Sequence, residues 1–442
     1  MAQQQLIFLS VPGLRLKDVT ADTTPTLYAW ANQGAATHLV PTFPCVTSPV
    51  QATFLTGRPP GEHGVVANGF YHRDRQEVEF WVAHNKIIEG EQTWDHVAKL
   101  GLSSAAWHTQ NIKGAAADYI ITPSPIHEED GTTKLWCYEK PDGLYVSLIN
   151  EFGHFPLQHY WGPLSNIEST RWILKGAQWL IEKHDPHFHW IYIPHLDYAS
   201  QKHGPDSHEA KLALAELETE LASFAAFLDQ RTKRTDTAII VASEYAMTDV
   251  SAVIHANRLL RDAGMINVKT EDGHEFLDIP ASRAFAMVDH QFAHVFIADE
   301  ADIAPCADLF RGVPGIASVL AGEDRRQVGL DHPRSGEIIL ISEPDHWFTY
   351  YYWLDDKAAP PFARTVDIHA KPGYDPVEMF VDAATRAISL NSSLVKGSHG
   401  APPQDEKQYG AVLTSCPGIL NDDTFLKDTE IHELCMRVLR GS

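Results

Sequence analysis

The sequence lacks the short motifs that identify several common enzyme classes. It contains no glycine-rich dinucleotide fingerprint, no GxxxxGK phosphate loop and no HExxH pair, so those classes have no support. Its five cysteines are odd in number and form no CxxC pair. This argues against a disulfide framework and against a thiolate zinc site, and it indicates buried, reduced thiols.

Long apolar runs, a secretory leader and an excess of basic residues are also missing. No apolar segment approaches the roughly 18 to 20 residues that span a bilayer, and the start of the chain has no basic region or cleavage site of a signal peptide. We therefore expect a cytoplasmic protein without a membrane partner. The 58 acidic residues exceed the 35 basic ones, giving a formal net charge of -23. Such a surface repels nucleic-acid polymers, whereas a small phosphate ester remains compatible because a metal ion can reverse the local field.

The apolar pattern predicts an α/β fold with a doubly wound, mainly parallel sheet and helices on both faces. A helix is expected from Pro25, capped by Thr24 and closed by Gly34, and another after Asp206 and Glu209, which are spaced as a capping box. Three continuous apolar runs indicate buried strands. They are residues 6–11, 188–194 and 237–243.

The domain organisation is predicted as one α/β domain over residues 1–400 with a peripheral tail over 401–442. A smaller inserted cap, or a set of extra strands, is expected within about 265–375, where short aromatic runs are bounded by prolines. In an open parallel sheet the ligand site lies at the carboxyl ends of the strands. The residues that directly follow the predicted strands are therefore the first candidates for function.

Four stretches carry residues suited to chemistry on a phosphoryl group. Thr47 lies between Pro44 and Pro49, where a strand-to-helix turn would expose its hydroxyl beside helix amides. Asp197 follows a predicted strand and has His195, Gln201 and His203 nearby, a plausible cluster for a hard metal ion. Glu244 follows the next strand as a ligand, a general base or a capping acid, and His399 lies between glycines in KGSHG.

Taken in order, these stretches resemble the alkaline phosphatase superfamily, and within it the bacterial proteins of the type I phosphodiesterase/nucleotide pyrophosphatase kind. The resemblance runs over roughly residues 5 to 400 and includes FPCVTSPVQATFLTG, EHGVVANGFYHRD, PHLDYASQKHGP, DHQFAHVF, VDIHAKPGYDP and GSHG. It implies that Thr47 is the nucleophile and forms a covalent intermediate. It also implies two zinc ions, one holding the nucleophile and the phosphoryl oxygen and the other activating water or steadying the leaving group.

The ligand set that the resemblance implies is incomplete in this chain. Thr47, Asp197 and His399 match the family pattern, whereas the expected first-strand Asp falls at or next to Pro12. The expected His four residues after Asp197 is Gln201, and the expected Asp-His pair is Glu244-Tyr245. Three outcomes remain open: a site with a single ion, a two-ion site rebuilt from histidines such as His290 and His369, or a protein that binds its ligand without turnover.

The function expected from the sequence is hydrolysis of a small phosphate ester by a phosphodiesterase or nucleotide pyrophosphatase with an atypical metal site. The alternative is a catalytically altered or inactive relative that binds a phosphorylated small molecule, and a smaller third option is lyase or isomerase chemistry on a sugar phosphate. A divalent cofactor, zinc in one or two copies, is expected. The candidate residues are Thr47 and Glu244 for catalysis, Gln51, Asn68, Tyr245 and Lys371 for substrate, and Asp197, His399, Glu244 and His203 for metal.

Overall fold

The fold is described by a computed structural model of residues 4–127, 133–232, 236–420 and 425–441. The strands are β1 (Gln5–Ser10), β2 (Ala35–Val40), β3 (Gly69–His72), β4 (Glu77–Phe80), β5 (Ser104–Trp107), β6 (Tyr119–Pro123), β7 (Ile126–His127), β8 (Thr133–Lys134), β9 (Cys137–Lys140), β10 (Phe188–Tyr192), β11 (Thr237–Ala242), β12 (Thr248–Asp249), β13 (Ala252–Ile254), β14 (Val268–Glu271), β15 (His274–Leu277), β16 (Ala284–Asp289), β17 (Phe292–Ile297), β18 (Ile316–Ala321), β19 (Ile338–Ser342), β20 (His346–Phe348), β21 (Gly397–Ser398), β22 (Gly410–Thr414) and β23 (Phe425–Lys427).

The helices connect these strands and cover the main sheet. They are α1 (Pro25–Gln33), α2 (Thr47–Thr56), α3 (Pro60–His63), α4 (Thr93–Lys99), α5 (Leu144–Phe152), α6 (Ile167–His184), α7 (His195–His203), α8 (His208–Asp229), α9 (Ala256–Asp262), α10 (Ile303–Phe310) and α11 (Ile431–Arg440). Among the described residues, none of the helices is both long enough and apolar enough to pass through a bilayer.

The main sheet has nine strands in the order β23-β2-β22-β11-β1-β10-β5-β6-β9. Its centre is parallel: β1 pairs with both β10 and β11, and β5 pairs with β10 and β6 in the same direction. The antiparallel pairs, β11 with β22, β2 with β22 and β6 with β9, lie on either side of this centre. The predicted α/β class with a mainly parallel sheet is confirmed.

Both faces of the sheet are buried, which is why its central strands are continuously apolar in sequence. In β1, Leu6 and Phe8 face a core that includes residues of α2, α4 and α11. Ile7 and Leu9 face the opposite core, which includes residues of α1, α5, α6 and α8. The two-residue alternation of a strand thus sends successive side chains into two separate cores, and the helices on both faces agree with the prediction.

The region after residue 265 contains a second sheet, and the C-terminal region joins the first. Strands β16, β17, β19 and β18 form a four-stranded antiparallel sheet within the range where extra strands were expected. The segment 401–442 was expected to be peripheral, but its strand β22 lies between β2 and β11 in the main sheet. Helix α11 also contributes buried side chains to the core beneath α2, so this region completes the α/β core.

Local signals located the helix starts to within about two residues. Helix α1 has Pro25 as its first residue and Gly34 after its last, as predicted, although the Thr24 side chain makes no capping hydrogen bond. Helix α8 begins at His208, and its N-cap is Ser207, whose side chain accepts from the Ala210 amide. The acidic side chain expected to cap this helix, Asp206, instead pairs with Arg15 and Lys17.

His189 in β10 gives a prediction for the pH dependence of stability. Its imidazole is buried, neither ring nitrogen has a partner among the described residues, and burial lowers its pKa from 6.5 to about 3. As the pH falls, His189 is therefore protonated near pH 6.5 in the unfolded chain but only near pH 3 in the folded chain. The neutral buried imidazole therefore contributes fully to the free energy of unfolding above pH 6.5, and this contribution is lost as the pH falls from 6.5 to 3. The loss amounts to about 2 kcal/mol at pH 5.

We expect His189→Phe to reduce the fall in Tm between pH 7 and pH 5, measured by differential scanning calorimetry. The phenyl ring fits the apolar surroundings and binds no proton in either state. His203→Phe, at an exposed position, is the control and should leave the fall in Tm as in the wild type. Equal pH dependence in the wild type and in His189→Phe would contradict the assignment of this acid sensitivity to His189.

Candidate active site

Thr47 is the first residue of α2 and directly follows the loop of residues 41–46 that connects β2 to this helix. The segment around His399 packs against this loop: the Cys45 amide donates to the Gly400 carbonyl at 3.2 Å, and His399 Nδ1 donates to the Cys45 carbonyl at 2.8 Å. Gly400 has a φ of 118°, and a Cβ there would lie 3.3 Å from Val46 Cγ1. Glycine is therefore needed for the close approach of the two segments.

Three side chains form a buried hydrogen-bonded row at the carboxyl ends of β10 and β11. The Tyr245 hydroxyl donates to Asp197 Oδ2 at 2.8 Å and lies 3.1 Å from Thr47 Oγ1. Asp197 is in the first turn of α7, which starts shortly after β10, and Tyr245 is three residues beyond β11. The two parallel strands thus bring Asp197 and Tyr245, 48 residues apart, to the start of α2.

Glu244 connects α2 to the first strand. Its Oε1 accepts from the Ser10 hydroxyl and from Gln51 Nε2, each at 2.7 Å. The Gln51 side-chain oxygen accepts in turn from the Gln110 amide at 2.8 Å. Gln51, a predicted substrate contact, therefore has its carbonyl oxygen and one amide hydrogen in protein hydrogen bonds, and it fixes α2 relative to Glu244.

A column of four rings lies beside this row. The Tyr245 ring stacks on His399 with centroids 3.5 Å apart and an interplanar angle of 8°. His399 is 3.9 Å from His290, and His290 stacks on Tyr374 at 3.7 Å. The far end of the column is fixed because the Tyr374 hydroxyl donates to Gln201 Oε1 at 2.8 Å. Stacked rings therefore fill the space between α7 and the segment around His399.

Asn68 and Asp289 support the start of α2 from the other side. Asn68 Oδ1 accepts from the Ser48 amide at 2.9 Å, while the Asn68 amide and Nδ2 donate to the two oxygens of Asp289. Asp289 Oδ1 also accepts from His290 Nδ1 at 2.7 Å. Asn68 was predicted to contact substrate, and the structure gives it a role in positioning Ser48, the neighbour of Thr47.

Burial dominates the electrostatics of these groups. It raises the pKa of Asp197 to about 7, against the lowering effect of the hydrogen bond from Tyr245. It raises the pKa of Glu244 to about 8, against the lowering effect of the hydrogen bonds from Ser10 and Gln51. Burial also raises the pKa of the Tyr245 hydroxyl well above 10 and lowers that of His399 well below 6.5. The imidazole is therefore neutral, and with Nδ1 protonated its Nε2 carries a lone pair.

The donor set does not fit the two-ion centre that the resemblance implies. No three His, Cys, Asp or Glu side chains within residues 4–127, 133–232, 236–420 and 425–441 converge to hold an ion. Pro12 is buried two residues after β1 and offers no side-chain donor, and Tyr245 presents a phenol. In the described parts of the chain, Asp197 Oδ1, Glu244 Oε2 and His399 Nε2 are buried without hydrogen-bond partners. These atoms could accept hydrogen bonds from a ligand or water but do not complete a metal site.

Two predicted residues lie apart from this row. Lys371 is buried with its Nζ 2.9 Å from Asp375 and 2.6 Å from Glu378, so its charge is neutralised within the fold. The two carboxylates outweigh the effect of burial and raise the pKa of Lys371. His203 is exposed at the end of α7. Neither side chain is brought to Thr47 by the hydrogen bonds described.

Sequence reasoning did not single out several residues of the site. Ser10 is the last residue of β1, and its position at a strand end was the available signal. Tyr374 closes the ring column from the range 265–375, whose aromatic runs predicted extra strands and no site residue. Tyr160 is half-buried, and burial of its hydroxyl, followed by the charge of Glu244, raises its pKa, but no pattern in the sequence distinguished it.

A model of the family described as type I phosphodiesterase / nucleotide pyrophosphatase matches residues 6–375. An uncharacterized pyrophosphatase/phosphodiesterase of Schizosaccharomyces pombe is 23% identical over 437 residues, which cover 96% of this chain and 79% of that protein. Ectonucleotide pyrophosphatase/phosphodiesterase family member 7 of Rattus norvegicus is 22% identical over 252 residues, which cover 56% of this chain and 51% of the rat protein.

Solved structures share the fold. Murine ectonucleotide pyrophosphatase/phosphodiesterase 5, in an inactive form in complex with AMP, has a TM-score of 0.64 and 16% identity, and 99% of this chain and 95% of that chain are covered. Phosphonoacetate hydrolase from Sinorhizobium meliloti in complex with phosphonoformate has the same TM-score and identity, with 99% and 96% covered.

Proposed function

Since this chain belongs to the type I phosphodiesterase / nucleotide pyrophosphatase family of hydrolases, we propose that it hydrolyses a small phosphorylated substrate with Thr47 as the nucleophile. The proposal rests on one observation. Thr47 begins α2 with its hydroxyl 3.1 Å from the Tyr245 hydroxyl, which donates a hydrogen bond to Asp197. A hydroxyl at a helix start, beside a group that can take its proton, is suited to attack on a phosphoryl group.

The reaction has two displacement steps. Thr47 Oγ1 forms a bond to phosphorus, the bond to the leaving oxygen breaks, and the hydroxyl proton leaves Thr47. Water then attacks the phosphorus of the covalent intermediate, the bond from phosphorus to Oγ1 breaks, and Oγ1 regains a proton. The Asp197 carboxylate, which the Tyr245 hydroxyl connects to Thr47, can exchange this proton, and Glu244 is a second buried carboxylate of the same site.

A small phosphodiester or nucleotide pyrophosphate is the substrate class that we propose. The formal net charge of -23 repels a polyanionic chain much more strongly than a small ester. Two proteins with this fold support a small phosphate or phosphonate ligand, because one is in complex with AMP and the other with phosphonoformate.

A divalent ion such as zinc finds only part of a ligand set here. Asp197 and His399 are the residues that would hold it, while Oε1 of Glu244 already accepts hydrogen bonds from Ser10 and Gln51. A bound ion would polarise the phosphoryl oxygen in such a site. Because the donor set does not fit, we assign no step of the reaction to an ion.

The cytoplasm is the compartment that we propose. All five cysteines are free, and four of them are buried. Free buried thiols are typical of proteins kept under reducing conditions. Fractionation of cells that express the tagged chain would test this assignment.

Product analysis tests the proposed reaction. The purified chain is incubated with phosphodiesters, nucleotide pyrophosphates and phosphomonoesters, and products are followed by phosphorus NMR, which also distinguishes hydrolysis from lyase or isomerase chemistry. We expect two hydrolysis products from at least one diester or pyrophosphate. An acid-quenched reaction should carry the transferred phosphoryl group on the peptide that contains Thr47, detected by mass spectrometry. A covalent adduct on any other residue would contradict the assignment.

Binding without turnover is a second candidate function, favoured by the incomplete ligand set and by the burial of the site. Thr47 is only 4% exposed and Tyr245 only 1%. In this case calorimetry would detect binding of AMP or a similar nucleotide, while phosphorus NMR would show no product after prolonged incubation. Multiple turnovers by highly purified wild-type chain, absent from Thr47→Ala, would exclude this candidate.

A further inference from the structure

We infer that Tyr245 accepts the proton of Thr47 and passes its own proton to Asp197, so that a hydrogen-bond relay activates the nucleophile where a metal ion would otherwise act. The inference rests on the proposed nucleophilic role of Thr47 and adds a mechanism of activation to it. It assigns Tyr245 a part in the chemical step and not in substrate recognition.

Counting donors fixes the direction of the relay. A tyrosine hydroxyl has one proton, and the Tyr245 proton is given to Asp197 Oδ2 across 2.8 Å. The contact of 3.1 Å between Thr47 Oγ1 and the Tyr245 oxygen therefore needs the proton of Thr47. The order is Thr47 to Tyr245 to Asp197, and each proton already points toward the group that would receive it.

The phenol is held at both ends, which makes the relay geometry definite. The backbone carbonyl of Tyr245 accepts from the Gly13 amide at 2.9 Å and from the Ser243 hydroxyl at 2.8 Å. Its ring lies flat on His399, which is itself anchored to the Cys45 carbonyl. A ring fixed in this way loses little further freedom in the reaction, as a preorganised catalytic group requires.

The same hydroxyl occupies the position that an ion would need. A zinc ion bound to Asp197 and Thr47 would lie about 2.0 to 2.2 Å from each oxygen, and the Tyr245 oxygen already lies between them at hydrogen-bond distance from both. One helical turn after Asp197, position 201 faces the same side of α7 and carries a Gln whose Oε1 accepts from Tyr374. The neighbourhood therefore offers hydrogen bonds where a metal centre would offer ligands.

The proton balance of the first step is complete without a further reactant. As the bond from Oγ1 to phosphorus forms, the Thr47 proton moves to the Tyr245 oxygen and the Tyr245 proton moves to Asp197 Oδ2. The leaving oxygen departs with its electron pair and takes a proton from solvent. In the second step water gives one proton to solvent, and the relay runs backwards to return a proton from Asp197 through Tyr245 to Oγ1.

Tyr245→Phe tests the relay, because the variant keeps the ring that stacks on His399 and removes only the hydroxyl. On the best substrate of the product analysis we expect kcat to fall about 100-fold with KM unchanged. Asp197→Asn should lower kcat similarly, and the double variant should lose no more than the larger single loss, since the two residues act in one chain of proton transfers. A loss of kcat in the double variant equal to the product of the two single losses would overturn the relay. A larger loss in Glu244→Gln than in Tyr245→Phe would assign the proton to Glu244 instead.

Metal content gives a second readout that does not depend on activity. Wild-type chain treated with chelator and then with zinc should take up no stoichiometric zinc by elemental mass spectrometry, and its kcat should survive the chelator. Tyr245→His/Gln201→His, which adds two imidazoles beside Asp197 and His399, should gain about one zinc per chain. Stoichiometric zinc in the wild type, lost in Asp197→Ala, would overturn the inference, as would a double variant that folds and stays free of zinc.

The failure of this inference is distinguishable from failure of the proposed function. If turnover occurs, depends on Thr47 and needs zinc, the hydrolase proposal stands and the relay falls. If no ester is turned over by the wild type, the proposed function falls, and the zinc measurements still decide whether Tyr245 keeps an ion out of the site.

Discussion

Thr47→Ala should lower kcat for hydrolysis of the preferred ester by at least about 1,000-fold, because loss of a nucleophile removes the covalent route while binding groups remain. Thr47→Ser keeps a hydroxyl at the start of α2 and should retain measurable turnover with a covalent intermediate. The measurement is steady-state kinetics with phosphorus NMR to identify the products. Trace contamination by another phosphatase is excluded when wild type and variants are purified in parallel.

The control is Thr56→Ala in the last turn of the same helix. Thr56 donates to the Ala52 carbonyl at 2.8 Å and lies nine positions from Thr47. The substitution removes the same atoms from α2 without touching the hydrogen-bonded row at its start. Comparable loss of kcat in Thr47→Ala and Thr56→Ala would mean that packing of α2, and not a nucleophile, accounts for the effect.

Lys371→Met should lower the free energy of unfolding by about 3 to 5 kcal/mol, since it leaves two buried carboxylates without their cation. Lys371 is 1% exposed, and its Nζ also donates to the Thr365 carbonyl at 3.1 Å. Glu378 also accepts hydrogen bonds from Trp161 Nε1 at 2.6 Å and from the Asp367 amide at 3.0 Å, and these cannot replace the lost charge. The shift in Tm, measured by calorimetry at neutral pH, checks the expectation.

Lys269→Met is the matched control for this prediction. Lys269 pairs with Asp278 at 3.1 Å, but its side chain is 62% exposed. Exposed ion pairs contribute at most about 1 kcal/mol, so the Tm should change little. The triple variant Lys371→Met/Asp375→Asn/Glu378→Gln should recover part of the loss, since no unpaired charge remains. Equal Tm shifts in Lys371→Met and Lys269→Met would contradict a buried charge cluster.

The elements that sequence reasoning found are those in which local pattern and tertiary role agree. Strand β1 and strand β11 are buried on both faces, so their continuous apolar runs mark them without ambiguity. Helix α1 is delimited by Pro25 and Gly34 because both residues act through backbone geometry alone. Such signals lie within a few neighbouring residues and need no knowledge of the rest of the chain.

The features that sequence reasoning missed depend on distant partners. A short strand such as β22 carries no signal of its place in the sheet, because that place is set by its hydrogen bonds to β2 and β11. Lys371 is chemically suited to hold a phosphate, and only the positions of Asp375 and Glu378 reveal that its charge is already used. The place of β22 and the function of Lys371 therefore depend on residues that are distant in sequence or on contacts that only the folded chain makes.

The candidate site shows the same division. Thr47, Asp197, Glu244 and His399 could be selected from strand ends and from the resemblance, and hydrogen bonds or ring contacts join Thr47, Asp197 and His399 through Tyr245. The substitution of Tyr at position 245 was visible in sequence as the loss of a ligand. Its positive role was not visible, because it depends on where the hydroxyl lies between two oxygens from other segments.

The position of β22 has a consequence for synthesis of the protein on the ribosome. Strands β2 and β11 each pair with β22, so both keep an open edge until residue 414 has left the exit tunnel. The nascent chain must therefore carry at least residues 1–409 with three unpaired strand edges, one on β11 and two on β2, whose other partner β23 also comes later. Unpaired strand edges are sites for pairing with other chains. Folding of this protein should therefore depend more on chaperones that cover exposed strands during translation than folding of a protein whose sheet is completed in order from the N-terminus.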